Sequence, residues 1–393
     1  MSLPARARRI RRVPALLLLS VLLTLAIPVA PIQPPVHANP SSPEVSTEKL
    51  PFAQIGTSFN PDRAAYLGLD YQTAYDRLLA LNFKVIRLSA YWSQVDEVGY
   101  GRLDWLVRRS EEARQPIVIS VGMKGAGWPE FYIPKRYSPE LPDGSDVSTD
   151  HVLRSGAVQF VGETVERYRD SDVLVAWQVE NEPLNPAGPR RWWIGRPTVE
   201  QEVAAVKARD ERPVIVNAFG SFNMLFDRYS NRNGIDLKRL LGFESDTAEN
   251  QSLETIDPGD ILGLDVYTRI GYNFLGREAV ASASSNWAGT AGHWRQQALK
   301  QGKSAWITEV QAEPWETSNK TLASPRSTTA ADIVDRVNAL RAQGYTTILL
   351  WGAEYWLWRS DDADTSWLDA VLGVLAANNA APPLLPGSAD ASS

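Results

Sequence analysis

Six places along the chain set residues able to do chemistry directly after a short apolar run: Arg87 with Trp92, Lys124 with Trp128, Asn181 with Glu182, Asp265 with Tyr267, Glu309, and Trp351 with Glu354. Carboxylates at two such places, with tryptophans around them, suit cleavage of a glycosidic bond. That reaction needs one carboxyl to protonate the leaving oxygen and a second to stabilise or attack an oxocarbenium-like carbon. The 14 tryptophans point the same way, because an indole face matches the apolar face of a sugar ring. Trp128, Trp192, Trp193, Trp315, Trp356 and Trp358 join Trp92 in loops on the same side, whereas Trp105, Trp294, Trp306 and Trp367 read as core. Alternation along a strand does not separate Glu182 from Glu180, two residues earlier. Glu313 rivals Glu309 but lies beyond its apolar run. Arg87 also fits a structural pairing with a buried acid, and Tyr267 a core position. No His/Cys/Asp constellation has metal-ligand spacing, so neither metal nor cofactor is expected.

The segments that must position these residues alternate. Short β-branched runs predict strands at 54–59, 85–90, 116–122, 173–181, 213–219, 260–267, 304–310 and 346–352, each apolar enough to be buried on both faces. Helical patterns fall between most of them. "YQTAYDRLLALNF" is one, "STTAADIVDRVNALRAQG" another, with Ser327 or Thr328 as cap and Gly344 as stop, and "DTSWLDAVLGVLAANN" supplies the last. The fifth unit is irregular, with a helical stretch only at 236–241. Eight such units over residues 51–377 predict a single (β/α)8 TIM barrel, whose reactive groups sit where strands end. A doubly wound open sheet is the alternative. No strand, however, is followed by a glycine-rich phosphate or dinucleotide loop.

With "ENEP" ending the fourth strand and "WITEV" ending the seventh, the chain resembles the clan A glycoside hydrolases, most like family 5, the cellulase family. The resemblance covers about residues 51–377. It implies that Glu182 is the acid/base, Glu309 the nucleophile and Asn181 the ligand of the sugar 2-hydroxyl. It further implies that Arg87 and Tyr267 hold the nucleophile and that Trp351 floors the subsite of the cleaved sugar. Trp92, Trp128 and Glu354 are further candidates for substrate contact. Family 5 usually has a histidine ending strand three and another two residues before the strand-six tyrosine; here Met123-Lys124 and Asp265 stand there, and the only histidines are His37, His151 and His293. The reading is a retaining β-glycoside hydrolase acting on a β-linked oligo- or polysaccharide by double displacement. The alternatives are a transglycosylase with the same residues, or a non-catalytic carbohydrate-binding or cell-surface module on the same barrel.

Five arginines and no acid fall in residues 1–14, followed by an apolar run from Ala15 to Ala30 and small residues at Val36-His37-Ala38. This order is that of a secretory signal, with an uncleaved anchor as the alternative and an extracellular or cell-surface domain in either case. Residues 39–50 read as a Pro-rich linker and 378–393 as a disordered tail. Beyond residue 38 the chain carries 35 basic and 46 acidic groups, a net charge of −11. That excess excludes nucleic acid as an expected partner. The expected partner is a carbohydrate, with membrane contact only through the possible anchor, and the chain is expected to be a monomer. With no cysteine, a domain of this size relies on its core rather than on disulfides.

Overall fold

The computed structural model describes residues 50–219, 247–274, 277–316 and 322–384. Eight parallel strands close into a barrel in the order β1-β10-β9-β6-β5-β4-β3-β2. They are β1 (Gln54–Ser58), β2 (Ile86–Tyr91), β3 (Ile117–Gly122), β4 (Leu174–Val179), β5 (Val214–Phe219), β6 (Ile261–Val266), β9 (Ser304–Gln311) and β10 (Thr347–Trp351). All eight predicted strands are present, and the fold is the (β/α)8 barrel. Between β6 and β9 an antiparallel hairpin is inserted, β7 (Arg269–Phe274) with β8 (Arg277–Ser282). It was not foreseen, because its partly exposed segments lack the continuous apolar run that marks the barrel strands.

The inside of the barrel is apolar at the strand starts and polar higher up. Val85, Val118, Ile215, Ile261, Trp306 and Leu349 form one buried cluster near the N-terminal ends. Two residues further along several of these strands stand Arg87, Ser120, Asn217 and Thr308, all buried. Because side chains alternate with a period of two, these polar groups share the inner face with the apolar layer beneath them. The larger core lies outside, between barrel and helices. Helix Tyr71–Leu79 buries Ala74, Tyr75 and Leu78, and Asp70 caps it by accepting from the Thr73 amide. Helix His151–Tyr168 is capped in the same way by Asp150.

Three expectations change. Neither Ser327 nor Thr328 caps helix Ala331–Ala342, whose first turn has no side-chain cap of its own. Both are buried instead: Ser327 Oγ accepts from the Trp315 amide and Thr328 Oγ1 from Arg336. Arg336 also reaches Thr268 and the Gln311 carbonyl, so a buried guanidinium determines where these hydroxyls go. The first part of the presumed tail is folded. The side chain of Asn378 accepts from the Ala53 amide and donates to the Val374 carbonyl, and Leu384 is buried with the apolar layer at the strand starts. The domain therefore extends past 377, because that apolar layer needs a cover. In the fifth unit the helical stretch expected at 236–241 lies outside the described residues; within them a helix, Ala248–Thr255, precedes β6. The leader expected over residues 1–38 and all but the last residue of the linker expected at 39–50 also lie outside them.

Candidate active site

Arg87 rises from β2 into the polar layer and is almost fully buried. Its Nε donates to Ser58 Oγ at 2.9 Å and its Nη1 to Gln178 Oε1 at 3.0 Å. Its Nη2 pairs directly with Glu309 Oε1, while the Tyr267 hydroxyl donates to Glu309 Oε2. Both oxygens of Glu309 thus carry donors, one of them cationic. Burial first, and then Glu309, push the Tyr267 phenol well above its ordinary range, so it remains a neutral donor.

Simple alternation does not bring Glu309 here. Thr308 has the inward parity and donates to Asp265 Oδ1 at 2.5 Å. The pairing steps from Leu264↔Ile307 to Asp265↔Glu309 on one side, and from Ile348↔Ile307 to Leu350↔Val310 on the other. Strand β9 therefore holds one extra residue after Ile307, a bulge that turns two consecutive side chains toward the site.

The end of β4 is equally irregular. Glu180 and Glu182 both have left-handed backbones, with φ of 59° and 47°, a costly conformation for residues that are not glycine. Several bonds hold it. Glu180 accepts from the amides of Met123 at 2.8 Å and Lys124 at 2.5 Å. Its carboxyl occupies space that a side chain at Gly122 would fill, since a Cβ there would come within 2.3 Å of it. The Glu182 amide donates to Asn217 Oδ1 at 2.7 Å, and Lys124 Nζ holds the Glu182 carbonyl at 2.7 Å. The two glutamates consequently diverge. Glu180 is locked behind the strand-three end, whereas a carboxyl oxygen of Glu182 lies within 4.8 Å of oxygens of both Glu309 and Asp265.

Burial raises Glu182 to about 7, reinforced by Glu309 and opposed first by Lys124, then by a hydrogen bond with Asp265 and by Arg87. Asp265 is pushed well above its usual range by burial, then by Glu309 and Glu182. Two buried cations, Arg87 and Lys124, face more carboxyls than they can neutralise, so some of those carboxyls keep protons near neutrality. The trio Glu182, Asp265 and Glu309 is also the geometry among the described residues most able to hold a cation. Arg87 and Tyr267 already occupy Glu309, and Thr308 and Asn217 occupy Asp265.

Asn181 Oδ1 accepts from Gln178 at 3.2 Å and Asn217 at 3.0 Å, with Arg87 Nη1 at 3.4 Å. Among the described residues no acceptor takes its Nδ2. Trp351 packs against Phe219, Tyr267 and Ile270, with the Arg87 guanidinium 5.9 Å from its ring. The structure therefore gathers Arg87, Asn181, Glu182, Tyr267, Glu309 and Trp351. Trp128, 72% exposed, projects from the loop after β3.

Two candidates belong elsewhere. Trp92 is buried and stacked on Phe160, with ring centroids 5.5 Å apart, because it opens a short helix that packs inward. Glu354 is buried and accepts from the Asn60 amide at 2.6 Å, bracing the loop after β1, and burial raises it to about 7. Trp356 and Trp192 are likewise buried, bonded to the carbonyls of Ala312 and Pro142. Trp315, by contrast, is 43% exposed and stands edge-on to Tyr267, with centroids 5.0 Å apart. Gln178, Asn217, Thr308 and Glu130 were missed. Three of them carried a signal, a polar residue inside an otherwise apolar strand run; Glu130, on a loop, carried none.

No family model and no curated protein matches the chain. Solved structures do. A β-galactosidase from Rahnella sp. R3 superposes with a TM-score of 0.53 at 14% identity, over 86% of this chain and 57% of that one. An exo-β-1,4-mannosidase from Opitutaceae bacterium strain TAV5 gives 0.49 at 13%, over 76% and 52%. A β-galactosidase from Halorubrum lacusprofundi gives 0.48 at 13%, over 85% and 63%. The chain thus spans roughly half to two thirds of these proteins. What it shares with the Rahnella enzyme is the barrel fold.

Proposed function

We propose that the chain is an exported, retaining β-glycoside hydrolase. The reading is carried by the Glu182–Glu309 pair and not by the barrel, which hosts many chemistries. Oxygens of the two carboxyls within 4.8 Å of one another fit the close spacing of a nucleophile and an acid/base. A pair that activates water on the far side of the ring stands roughly 6.5–9.5 Å apart. Glu182 gives its proton to the glycosidic oxygen as Glu309 attacks the anomeric carbon, forming a glycosyl ester. Glu182 then takes a proton from the incoming water, whose oxygen displaces Glu309. Asn181 Nδ2 is placed to bind a sugar hydroxyl, and Trp351 offers the ring a flat wall. The basic and apolar leader supports export, with a mature start near Asn39.

The decisive experiment follows the anomer first formed by ¹H NMR during hydrolysis of a β-glycoside, where retention is expected and inversion would overturn the reading. Glu309→Gln should lower kcat at least about 10³-fold on every substrate. Glu182→Gln should keep the first step for dinitrophenyl glycosides, whose leaving group needs no proton, and azide should rescue its second step. Transfer of that behaviour to Glu180→Gln would move the acid/base to Glu180.

A further inference from the structure

Among the buried polar atoms of the described residues, Glu130 Oε2 has no hydrogen-bond partner. Leaving a buried carboxyl oxygen unmatched costs on the order of 1–3 kcal/mol, so its persistence calls for an explanation. Disorder of the loop is not one. The Gly125 amide donates to the Glu130 carbonyl at 2.9 Å, the Glu130 amide to the Gly127 carbonyl at 2.8 Å, and Phe131 bridges back to Lys124. The neighbouring Pro129 carbonyl lies where a side chain at Gly188 would come within 2.7 Å, so the loop after β4 packs closely on this one. Glu130 itself is held at a φ of 76°, a strained backbone of the kind that clusters at ligand sites.

The loop carrying Glu130 meets the strand-four end, since Phe131 pairs with Lys124 and Lys124 Nζ holds the Glu182 carbonyl at 2.7 Å, and the charges acting on the Glu130 carboxyl are Lys124, Glu182 and Glu309. Lys124 does not satisfy it: two of its three ammonium protons go to the carbonyls of Glu182 and Asn185, and no hydrogen bond joins it to Glu130 Oε2. Resting on the glycosidase reading, we propose that Glu130 is a specificity-determining residue: its carboxyl hydrogen-bonds a ring hydroxyl of a neutral sugar held between Glu182 and Glu309, and the site rejects the corresponding uronide. A hydroxyl can donate to this carboxyl or accept from it, so it completes the missing bond in either protonation state. Burial, reinforced by Glu182 and Glu309, lifts Glu130 to about 8, which suits an uncharged partner. A sugar carboxylate would bring one more acid into a site whose four carboxyls, Glu130, Glu182, Asp265 and Glu309, already outnumber its two cations, with Arg87 paired to Glu309 and Lys124 bonded to the carbonyls of Glu182 and Asn185.

The test uses the full chain and 4-nitrophenyl β-D-glycosides of glucose, galactose, mannose and glucuronic acid, with monodeoxy forms of whichever neutral sugar is best cleaved. Wild type should discriminate at least about tenfold against one monodeoxy position. Glu130→Leu should lose about 10- to 100-fold in kcat/KM on the parent glycoside and no more on that deoxy one, and Glu130→Gln should regain part of the loss. Calorimetric binding of the same glycosides to Glu309→Gln gives a readout that needs no turnover. Deoxy discrimination that survives in both Glu130 variants, or a preference for the glucuronide, overturns the proposal. If Glu309→Gln is inactive while Glu130 is indifferent, this inference alone fails. If sugars bind through Glu130 but are never cleaved, the hydrolase reading alone fails, and absence of both binding and cleavage overturns the two together.

Discussion

In the proposed mechanism Glu182 has to hold a proton when substrate arrives and recover one within the same turnover. Raised to about 7 by burial, it remains the acid in slightly acidic water and is lost as an acid above neutrality. kcat/KM on an aryl glycoside with a poor leaving group should therefore fall as pH rises through about 7. Lys124 opposes the elevation, since a nearby cation favours the carboxylate. Removing it in Lys124→Met should move the alkaline limb to higher pH while lowering kcat about tenfold, because the 182–185 carbonyls lose their anchor. A limb that moves downward would show that Glu182 is not the titrating acid. Arg87, near the start of β2, and Tyr267, just past β6, keep the inward parity of their strands, so period two places them inside the barrel, while what they hold there was legible only through the family resemblance. Glu182 and Glu180 share strand parity, so alternation did not separate them and only the resemblance chose Glu182; left-handed backbones at both are what part them in the structure. Glu309 reaches the site through a bulge at Thr308 that only the pairing on both flanks reveals. Glu130 was missed because it comes from a loop.

Elements differ in how much of themselves they disclose. The barrel strands declared themselves by being buried on both faces, which requires unbroken apolar runs wherever they do not face the polar layer. Hairpin β7–β8 is held to the barrel at its foot, where the Arg269 amide donates to Gln311 Oε1 and Gln311 Nε2 to the Arg269 carbonyl. Such an element is specified by its docking partner more than by its own pattern. Trp92 shows the same limit from the other side. Its place after β2 fits a sugar contact, yet helix Trp92–Val98 starts at once and turns the indole onto Phe160 and Tyr137. Trp92→Ala should thus cost about 3–5 kcal/mol of stability by opening a cavity. KM should stay within about twofold of wild type for the fraction that folds. Urea unfolding and Michaelis kinetics on the same sample separate the two, and a large KM change with intact stability would return Trp92 to the sugar site.

Across the whole molecule, burial keeps an unusual number of acids from ionising. Glu180, Glu182 and Glu354 rise to about 7 and Glu130 to about 8, while Glu202 and Asp265 go well above their usual range. Each of these groups binds its proton more tightly folded than unfolded. Its stabilisation is full below the unfolded carboxylate range and is lost as pH rises through the folded value. Asp70, Asp104, Asp332 and Asp364 are shifted the other way, and what they contribute disappears only in stronger acid. Stability should therefore peak near pH 5 and decline through pH 8.5, with Tm falling by about 5 °C or more. Glu202 isolates the effect because it lies on helix Arg196–Lys207, outside the site. Among the described residues its oxygens meet no N–H or hydroxyl donor, and they face the carboxyl of Glu180. Ionising both members of that pair sets two buried anions together behind the strand-four end. Glu202→Gln cannot ionise, can donate to Glu180 and keeps nearly the same shape. Its Tm should match wild type within about 1 °C at pH 5 and exceed it by about 2–4 °C at pH 8.5. Equal Tm differences at both pH values would mean that the Glu202 proton does not contribute to the alkaline loss.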